Sequence, residues 1–162
     1  MDYLWTPWRF QYVSAGARNQ ECIFCERASA DPAGDREHLV LYRGRSNFVM
    51  LNLYPYTVGH AMIVPYTHVA ELVDVRSEIL AEMMTLAQQF QQALKDVYRP
   101  EGYNLGLNMG RCAGAGVEHH VHLHILPRWI GDSNFMTVVG ETRVEPEDLT
   151  STYDKLAGHF QR

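Results

Sequence analysis

The chain has 162 residues, a net charge of −5 and an isoelectric point near 5.9. Its 46% hydrophobic and 20% charged residues are typical of one globular domain, and the acidic charge argues against non-specific binding to a nucleic-acid backbone. No signal-peptide pattern opens the chain, and no apolar run approaches the roughly 18 residues of a membrane span. We therefore expect a single domain over residues 1–162 in the cytoplasm, without a nucleic-acid or membrane partner.

The chain opens with an aromatic arm over residues 1–20, which contains Trp5, Trp8 and Arg9. Cys22 and Cys25 follow, two of only three cysteines, and this odd number without a secretion signal does not fit a disulfide framework. Their spacing suits a metal or a redox pair. A thioredoxin-like pair needs a preceding strand, which nothing before residue 20 predicts. The two cysteines are therefore half of a zinc site or a pair of reduced thiols.

The next part of the chain predicts three strands. Residues 26–38 are rich in Ala, Asp and Gly and indicate a surface connection. Apolar runs at 39–42 and 47–51 predict strands joined by a hairpin turn, and residues 59–64 predict a third strand that Pro65 closes. The residues between the second and third strands, from Asn52 to Thr57, predict a loop.

A long helix is the clearest predicted element. Asp74 is the predicted N-cap, and the helix of about 22 residues ends at Arg99-Pro100. Its apolar residues recur at steps of three and four, at Ile79, Met83, Leu86, Phe90, Leu94 and Val97. Residues 103–108 then predict a strand, 110–116 a glycine loop, and the following segment another strand that ends before Pro127.

The remaining chain forms a predicted extension over residues 130–162, with a short strand at 135–139 and a helix at 148–160. The order of the elements predicts the α+β class. We expect an antiparallel sheet of about five strands, with the long helix on one face and a short terminal helix.

The strand before Pro127 carries an unusual run of histidines. His120, His122 and His124 alternate with aliphatic residues, so their side chains share one face at a spacing of ~6.5–7 Å. Burying three imidazoles together is costly unless each has a partner or a ligand. The face is therefore a solvent-exposed polar surface, a metal site, or a nucleophilic and general-acid site.

The residues from His120 to Leu126 resemble the histidine-triad motif, in which three histidines alternate with aliphatic residues. The resemblance extends to Asn52–His60, to Ile-Val-Pro-Tyr-Thr-His68, and forward through Pro127-Arg-Trp129, which covers roughly residues 20 to 130. The Trp5–Arg9 segment and the tail from Pro127 to Phe135 are similar to the bacterial diadenosine tetraphosphate phosphorylase branch of that superfamily.

The resemblance implies nucleotidyl transfer. His122 would attack the α-phosphorus of a nucleotide, and the nucleotidyl-histidine would be resolved by water or by inorganic phosphate. Neutral imidazole suits this role because its pKa lies near 6.5. His124 and His60 would donate to the phosphate oxygens, where charge develops. Asn52 corresponds to the family position that contacts ribose, although it also fits a turn at the end of a strand.

The glycine loop before the histidines is the expected phosphate cradle, with Gly114 and Gly116 allowing backbone N–H groups to approach phosphate. It departs from the common family pattern, which has Gln and then Ser or Thr where this chain has Gly116 and Val117. One residue is also inserted after Asn108. The loss of these side-chain donors puts the second half-reaction in doubt, and it fits the phosphorylase branch better than the simple hydrolases.

The resemblance also supplies the missing half of the metal site. Some members of the superfamily bind zinc with histidines that correspond to His68 and His120, which together with Cys22 and Cys25 complete a structural Cys2His2 site. By resemblance we further expect a homodimer. Three other functions remain open: a phosphoramidate or dinucleotide hydrolase that uses water, a non-catalytic nucleotide-binding module, and a metal-storage or metalloregulatory protein.

Overall fold

A five-stranded antiparallel sheet forms the centre of the molecule, in a computed structural model that describes residues 22–133, 137, 139–140 and 147–160. The strands are β1 (Val40–Arg43), β2 (Asn47–Leu51), β3 (Ala61–Pro65), β4 (Gly102–Leu107) and β5 (Leu123–Arg128). Their spatial order is β1-β2-β3-β5-β4. The histidine-bearing strand β5 therefore lies inside the sheet, between β3 and β4.

One face of the sheet is covered by the long helix α2 (Ser77–Tyr98). Its buried side is Met83, Leu86, Ala87, Phe90, Ala93 and Leu94, which confirms the apolar stripe read from the sequence. The expected N-cap is wrong: Asp74 belongs to a 3-10 turn, and the chain stays extended at Val75 and Arg76 before the helix begins. The helix ends where Arg99 adopts a left-handed conformation, with φ of 48°.

A short helix, α1 (Ile23–Ser29), packs on part of the opposite face of the sheet. Its Phe24 is buried against an apolar cluster that includes Phe48, Met50, Met62 and Val64. The prediction of a surface connection over residues 26–38 is therefore wrong for residues 26–29, which belong to α1. Seven residues are too few to show a clear helical period, so the pattern gave no helix here.

The histidine segment differs from its expected boundaries. β5 begins at Leu123, so that His120 and His122 precede the strand, and it continues to Arg128 through Pro127. Proline is tolerated there because the pairing of β5 with β3 ends at Ile125, so no bond to β3 requires its missing N–H. Leu123 and Ile125 belong to the core beneath α2, as the alternation predicts.

The short terminal helix α3 (Leu149–Ala157) begins at Asp148, whose carboxylate accepts from the Ser151 backbone N–H at 2.9 Å. It packs against α2 and β1. The α+β class is thereby confirmed, with the expected long helix, five strands and short terminal helix. The aromatic arm and most of the predicted strand at 135–139 lie outside the described residues. Within the part of the chain that the structure describes, no helix has both the length and the apolarity to cross a membrane.

Candidate functional site

Four histidines are buried at one place on the sheet. His60, His120, His122 and His124 are 1%, 0%, 4% and 8% exposed. Of the three interpretations of the histidine face, the solvent-exposed polar surface is therefore wrong. Met62 lies directly opposite His124 in the register of β3 and β5, so the His124 ring is on the face that α1 covers, away from α2.

His122 is held in one tautomer. Its Nδ1 lies 2.8 Å from the backbone carbonyl oxygen of His120, and because a carbonyl can only accept, Nδ1 carries the proton and donates. The lone pair is therefore on Nε2. Burial lowers the pKa of His122, which keeps the ring neutral at pH 7. A neutral imidazole with an available Nε2 lone pair is a nucleophile.

His124 and His60 form a second pair beside His122. His60 Nε2 lies 2.9 Å from His124 Nδ1, and the rings of His122 and His124 meet edge to face with centroids 4.9 Å apart. Burial, followed by electrostatic repulsion from His122 when that ring is protonated, lowers the pKa of His124 to about 4. His124 is therefore neutral at pH 7 and retains one ring N–H as a donor.

Asn52 fixes the loop that leads from β2 to His60. Its side-chain Oδ1 accepts from the Tyr54 backbone N–H at 3.0 Å, and its backbone N–H donates to the His60 backbone carbonyl at 2.9 Å. Leu53, Tyr54 and Tyr56 in this loop expose about half of their surface. The Tyr56 ring lies 4.7 Å from the His60 ring between centroids. The loop therefore places apolar and aromatic surface at the rim of the histidine cluster.

The glycine loop between β4 and β5 contains two left-handed residues, Gly110 with φ of 76° and Gly114 with φ of 83°. The N–H of Gly114 donates to the Arg111 carbonyl at 3.0 Å and is thus used within the turn. Gly116 lies two residues further on. Val117, at the expected Ser or Thr position, packs against the apolar cluster around Phe24. That packing explains why this position has no polar side chain.

The four expected metal ligands also come together in the structure. One donor atom from each of Cys22, Cys25, His68 and His120 lies within 4.8 Å of the others. Cys22 Sγ is 3.3 Å from His120 Nδ1, and Cys25 Sγ is 3.2 Å from His68 Nδ1. A tetrahedral zinc ion bound by sulfur and nitrogen separates its ligands by about 3.5 Å, so these residues fit zinc.

The tautomer of His120 supports the same assignment. Its Nε2 donates to the Pro65 carbonyl at 2.8 Å, which leaves the Nδ1 lone pair facing the cysteines. Burial lowers the pKa of His120, so the ring is neutral. The backbone N–H of Val121 donates to Val69 at 2.7 Å and joins the segments that carry His120 and His68.

Phe24 is a site residue that the sequence did not reveal. It lies between the two cysteines on α1, and its ring centroid is 4.8 Å from that of His122 and 5.3 Å from that of His120. Helix α1, which places Cys25 beside the other three expected metal ligands, thus also packs on the candidate nucleophile, His122. The only available signal was the apolar pair inside the Cys-x-x-Cys, which fits many buried residues equally well.

Comparisons with known proteins agree with this arrangement. The HIT domain model matches residues 34–129. The chain is 40% identical to an AP-4-A phosphorylase of Mycobacterium tuberculosis, over 100% of this chain and 86% of that protein. It is 32% identical to a Schizosaccharomyces pombe bis(5'-nucleosyl)-tetraphosphatase [asymmetrical], over 70% of this chain and 63% of the other.

The fold is similar to solved structures of the same kind. A Zn-bound histidine triad family protein from Mycobacterium smegmatis superposes with a TM-score of 0.68 at 28% identity, covering 86% of this chain and 93% of that chain. The resemblance to the histidine-triad superfamily and its AP4A phosphorylase branch is confirmed. The chain belongs to the HIT domain family.

Proposed function

We propose that this protein is an enzyme that cleaves dinucleoside polyphosphates, such as diadenosine tetraphosphate, at the α-phosphate through His122. The observation that carries the proposal is the tautomer of His122, whose Nδ1–H donates to the His120 carbonyl and leaves Nε2 as the nucleophile. Similarity over the whole chain to an AP-4-A phosphorylase supports the substrate class. The inferred nucleotide-binding residues are Asn52, Gly114, Gly116 and His124, with His60 assisting catalysis.

The first step forms a bond between His122 Nε2 and the α-phosphorus, and the bond to the bridging oxygen breaks. ATP leaves from diadenosine tetraphosphate, and an adenylyl group remains on His122. The ring then carries a positive charge, which the His120 carbonyl stabilises through its 2.8 Å hydrogen bond. A ring N–H of His124 stabilises the negative charge that develops on the phosphate oxygens.

In the second step we propose inorganic phosphate as the acceptor. A phosphate oxygen attacks the α-phosphorus, the bond to Nε2 breaks, and ADP leaves with His122 restored. The overall reaction converts diadenosine tetraphosphate and phosphate to ATP and ADP. Val117 supports this choice because its apolar packing removes a polar side chain that the common family pattern places beside the phosphate.

Hydrolysis is the second candidate for this step, and similarity to an asymmetrical bis(5'-nucleosyl)-tetraphosphatase favours it. Water would then replace phosphate and release AMP. Incubation with diadenosine tetraphosphate, with and without phosphate, separates the two. ADP and ATP formed only with phosphate supports a phosphorylase, whereas AMP and ATP in both tubes supports a hydrolase. Normal AMP binding without turnover on dinucleotide or phosphoramidate substrates would instead support a binding module.

We propose that Cys22, Cys25, His68 and His120 bind one structural zinc ion. The four donor atoms and the tautomer of His120 fit this role. Bound zinc would supply a cross-link between α1 and the segment before β5, which orients the His120 carbonyl and hence His122. A cytoplasmic location belongs to the same proposal, because a reducing compartment keeps both thiols available. More than one metal ion per chain would favour metal storage instead.

We also propose a homodimer formed through β4. In the described sheet, β4 is an edge strand that pairs with β5 alone, and Leu105 on it is 45% exposed. The other edge is partly covered, since the Tyr153 hydroxyl on α3 donates to the Val40 carbonyl at 3.1 Å. An open edge favours pairing with a second copy. Light scattering should give the dimer mass for the wild type and a lower mass for Leu105→Lys; an unchanged mass would contradict this interface.

A further inference from the structure

His60 is a buried histidine outside the triad motif, and its ring contacts the triad residue His124. Its Nε2 lies 2.9 Å from His124 Nδ1, a separation that requires a proton between the two nitrogens. Two arrangements satisfy this contact. Either His60 donates from Nε2, or His124 donates from Nδ1. The remaining ring nitrogen of His124 is Nε2 in both arrangements, and it carries a proton in the first and a lone pair in the second.

The backbone of Tyr56 decides between them. Its N–H lies 3.1 Å from His60 Nδ1, and because a backbone amide can only donate, Nδ1 must accept. A neutral His60 with its lone pair on Nδ1 carries its proton on Nε2. His60 therefore donates to His124 Nδ1, and His124 carries its own proton on Nε2.

The loop around Tyr56 keeps this donor in position. The 3.0 Å bond from Tyr54 N–H to Asn52 Oδ1 fixes the orientation of the Asn52 amide, so that Nδ2 faces His60. Asn52 Nδ2 lies 3.3 Å from His60 Nδ1 and 3.4 Å from His60 Nε2, and these distances are too similar to favour either ring nitrogen. The assignment therefore depends on the Tyr56 N–H.

We infer that His60 is a positioning residue. Because the Tyr56 backbone N–H donates to His60 Nδ1, His60 donates from Nε2 to His124 Nδ1, and His124 therefore presents its Nε2–H to an anionic oxygen. This inference depends on the proposed function only in identifying that oxygen as a phosphate oxygen. It changes the role expected for His60. A ring with one nitrogen bonded to Tyr56 and the other to His124 acts on a phosphate through His124 rather than by direct contact.

The direct test is nitrogen NMR of zinc-supplemented protein without substrate. Carbon-bound ring protons report the ¹⁵N shift of each imidazole nitrogen, whether or not its own proton is visible. The expected pattern has the proton on Nε2 in His60 and His124 and on Nδ1 in His122, with a ¹⁵N–¹⁵N coupling between His60 Nε2 and His124 Nδ1. A proton on His124 Nδ1 or His60 Nδ1 would overturn the inference.

Titration with AMP extends the test without any turnover. The Nε2 shift of His124 should move on binding, while the protonation pattern of His60 stays unchanged. A loss of the coupling between His60 and His124 in the complex would mean that His60 turns to contact the phosphate itself, which would contradict the positioning role. If the tautomers are as expected but the protein cleaves no dinucleotide, the proposed function fails and the positioning of His124 stands.

Two substitutions give an independent readout. His60→Leu removes the donor, and His60→Gln retains an amide donor and acceptor. We expect His60→Leu to lower kcat by about 10- to 100-fold with little change in AMP affinity, and His60→Gln to recover part of the loss. His159→Gln, after the terminal helix, is the matched control. Equal losses in AMP affinity and in kcat/KM for His60→Leu, with the His124 tautomer intact, would overturn the inference.

Discussion

The backbone carbonyl of His120 accepts a hydrogen bond from the Nδ1–H of His122 at 2.8 Å. The side chain of the same residue faces Cys22, with Nδ1 3.3 Å from Sγ. His120 thus takes part in two different contacts, one through its ring and one through its main chain. A shift of the backbone at His120 therefore affects both the ring that faces the cysteines and the carbonyl that sets the tautomer of the candidate nucleophile.

Removal of one thiol should therefore affect both stability and turnover. We predict one zinc ion per chain for the wild type and less than half an equivalent for Cys25→Ser, measured by mass spectrometry of the metal. The melting temperature should fall, and turnover should fall further than the folded fraction explains, because the His120 carbonyl is no longer fixed. Cys112→Ser, at the exposed third cysteine, is the control and should match the wild type. Full zinc occupancy in Cys25→Ser would contradict the ligand set.

Phe24 should support the candidate nucleophile as well as the core. Replacement by Leu shortens a side chain that is 2% exposed and packs on the His122 ring, and we expect a loss of about 1–2 kcal/mol of unfolding free energy. Phe90→Leu, on the buried side of α2, makes the same chemical change away from the site. At matched folded fraction, only Phe24→Leu should lower kcat, by about 10-fold or more. Equal kcat for the two variants would assign Phe24 a purely structural role.

The stability of the protein should depend on His124 below neutral pH. The pKa of His124 is lowered to about 4 from an ordinary value of 6.5, so the unfolded chain binds the proton more tightly. This contribution is complete above pH 6.5 and falls as the pH drops toward 4. The slope is about 1.4 kcal/mol per pH unit for the one group. In urea unfolding between pH 7.5 and 5, with zinc in excess throughout, the free energy of unfolding should depend less steeply on pH in His124→Gln than in the wild type. Parallel curves for the two proteins would contradict the lowered pKa.

Gly59 should tolerate no side chain. Its φ is 74°, and a Cβ there would lie 2.8 Å from Leu94 Cδ2 on α2. Because this residue precedes His60, Gly59→Ala strains the backbone that positions the His60 ring, and we predict a loss of about 1–3 kcal/mol. Gly158→Ala, where a Cβ meets no atom within 4 Å, is the control. Equal stability of the two variants in chemical denaturation would contradict this prediction, because α2 would then accommodate the added Cβ without a loss of unfolding free energy.

The parts of the fold that follow from periodicity were predictable, and those that depend on contacts between distant residues were not. The apolar stripe of α2 and the alternation through Leu123 and Ile125 correctly predicted which sides face the core. Nothing local to residues 23–29 shows that α1 covers the histidine face, because its stability comes from packing Phe24 against residues of β2 and β3.

The site shows the same division. The spacing of Cys22 and Cys25 indicated half of a metal site, and similarity to the histidine-triad motif led to His68 and to the roles expected for His120, His122 and His124. The tautomers, however, depend on the backbone carbonyls of Pro65 and His120 and on the backbone N–H of Tyr56. Every residue has a backbone carbonyl, and every residue except proline has a backbone N–H. Main-chain donors and acceptors acquire a role only when the fold aims them, so no sequence pattern could indicate them.

The most direct test of the central claim is to trap the intermediate. Wild-type protein is mixed with adenine-labelled diadenosine tetraphosphate without phosphate, quenched rapidly and digested for peptide mass spectrometry. We predict an acid-labile adenylyl group on His122, absent from His122→Asn, and its quantitative conversion to labelled ADP when phosphate is added before the quench. Turnover of the same substrate with no label on His122 at any time, or with undiminished turnover in His122→Asn, would contradict the proposed nucleophile.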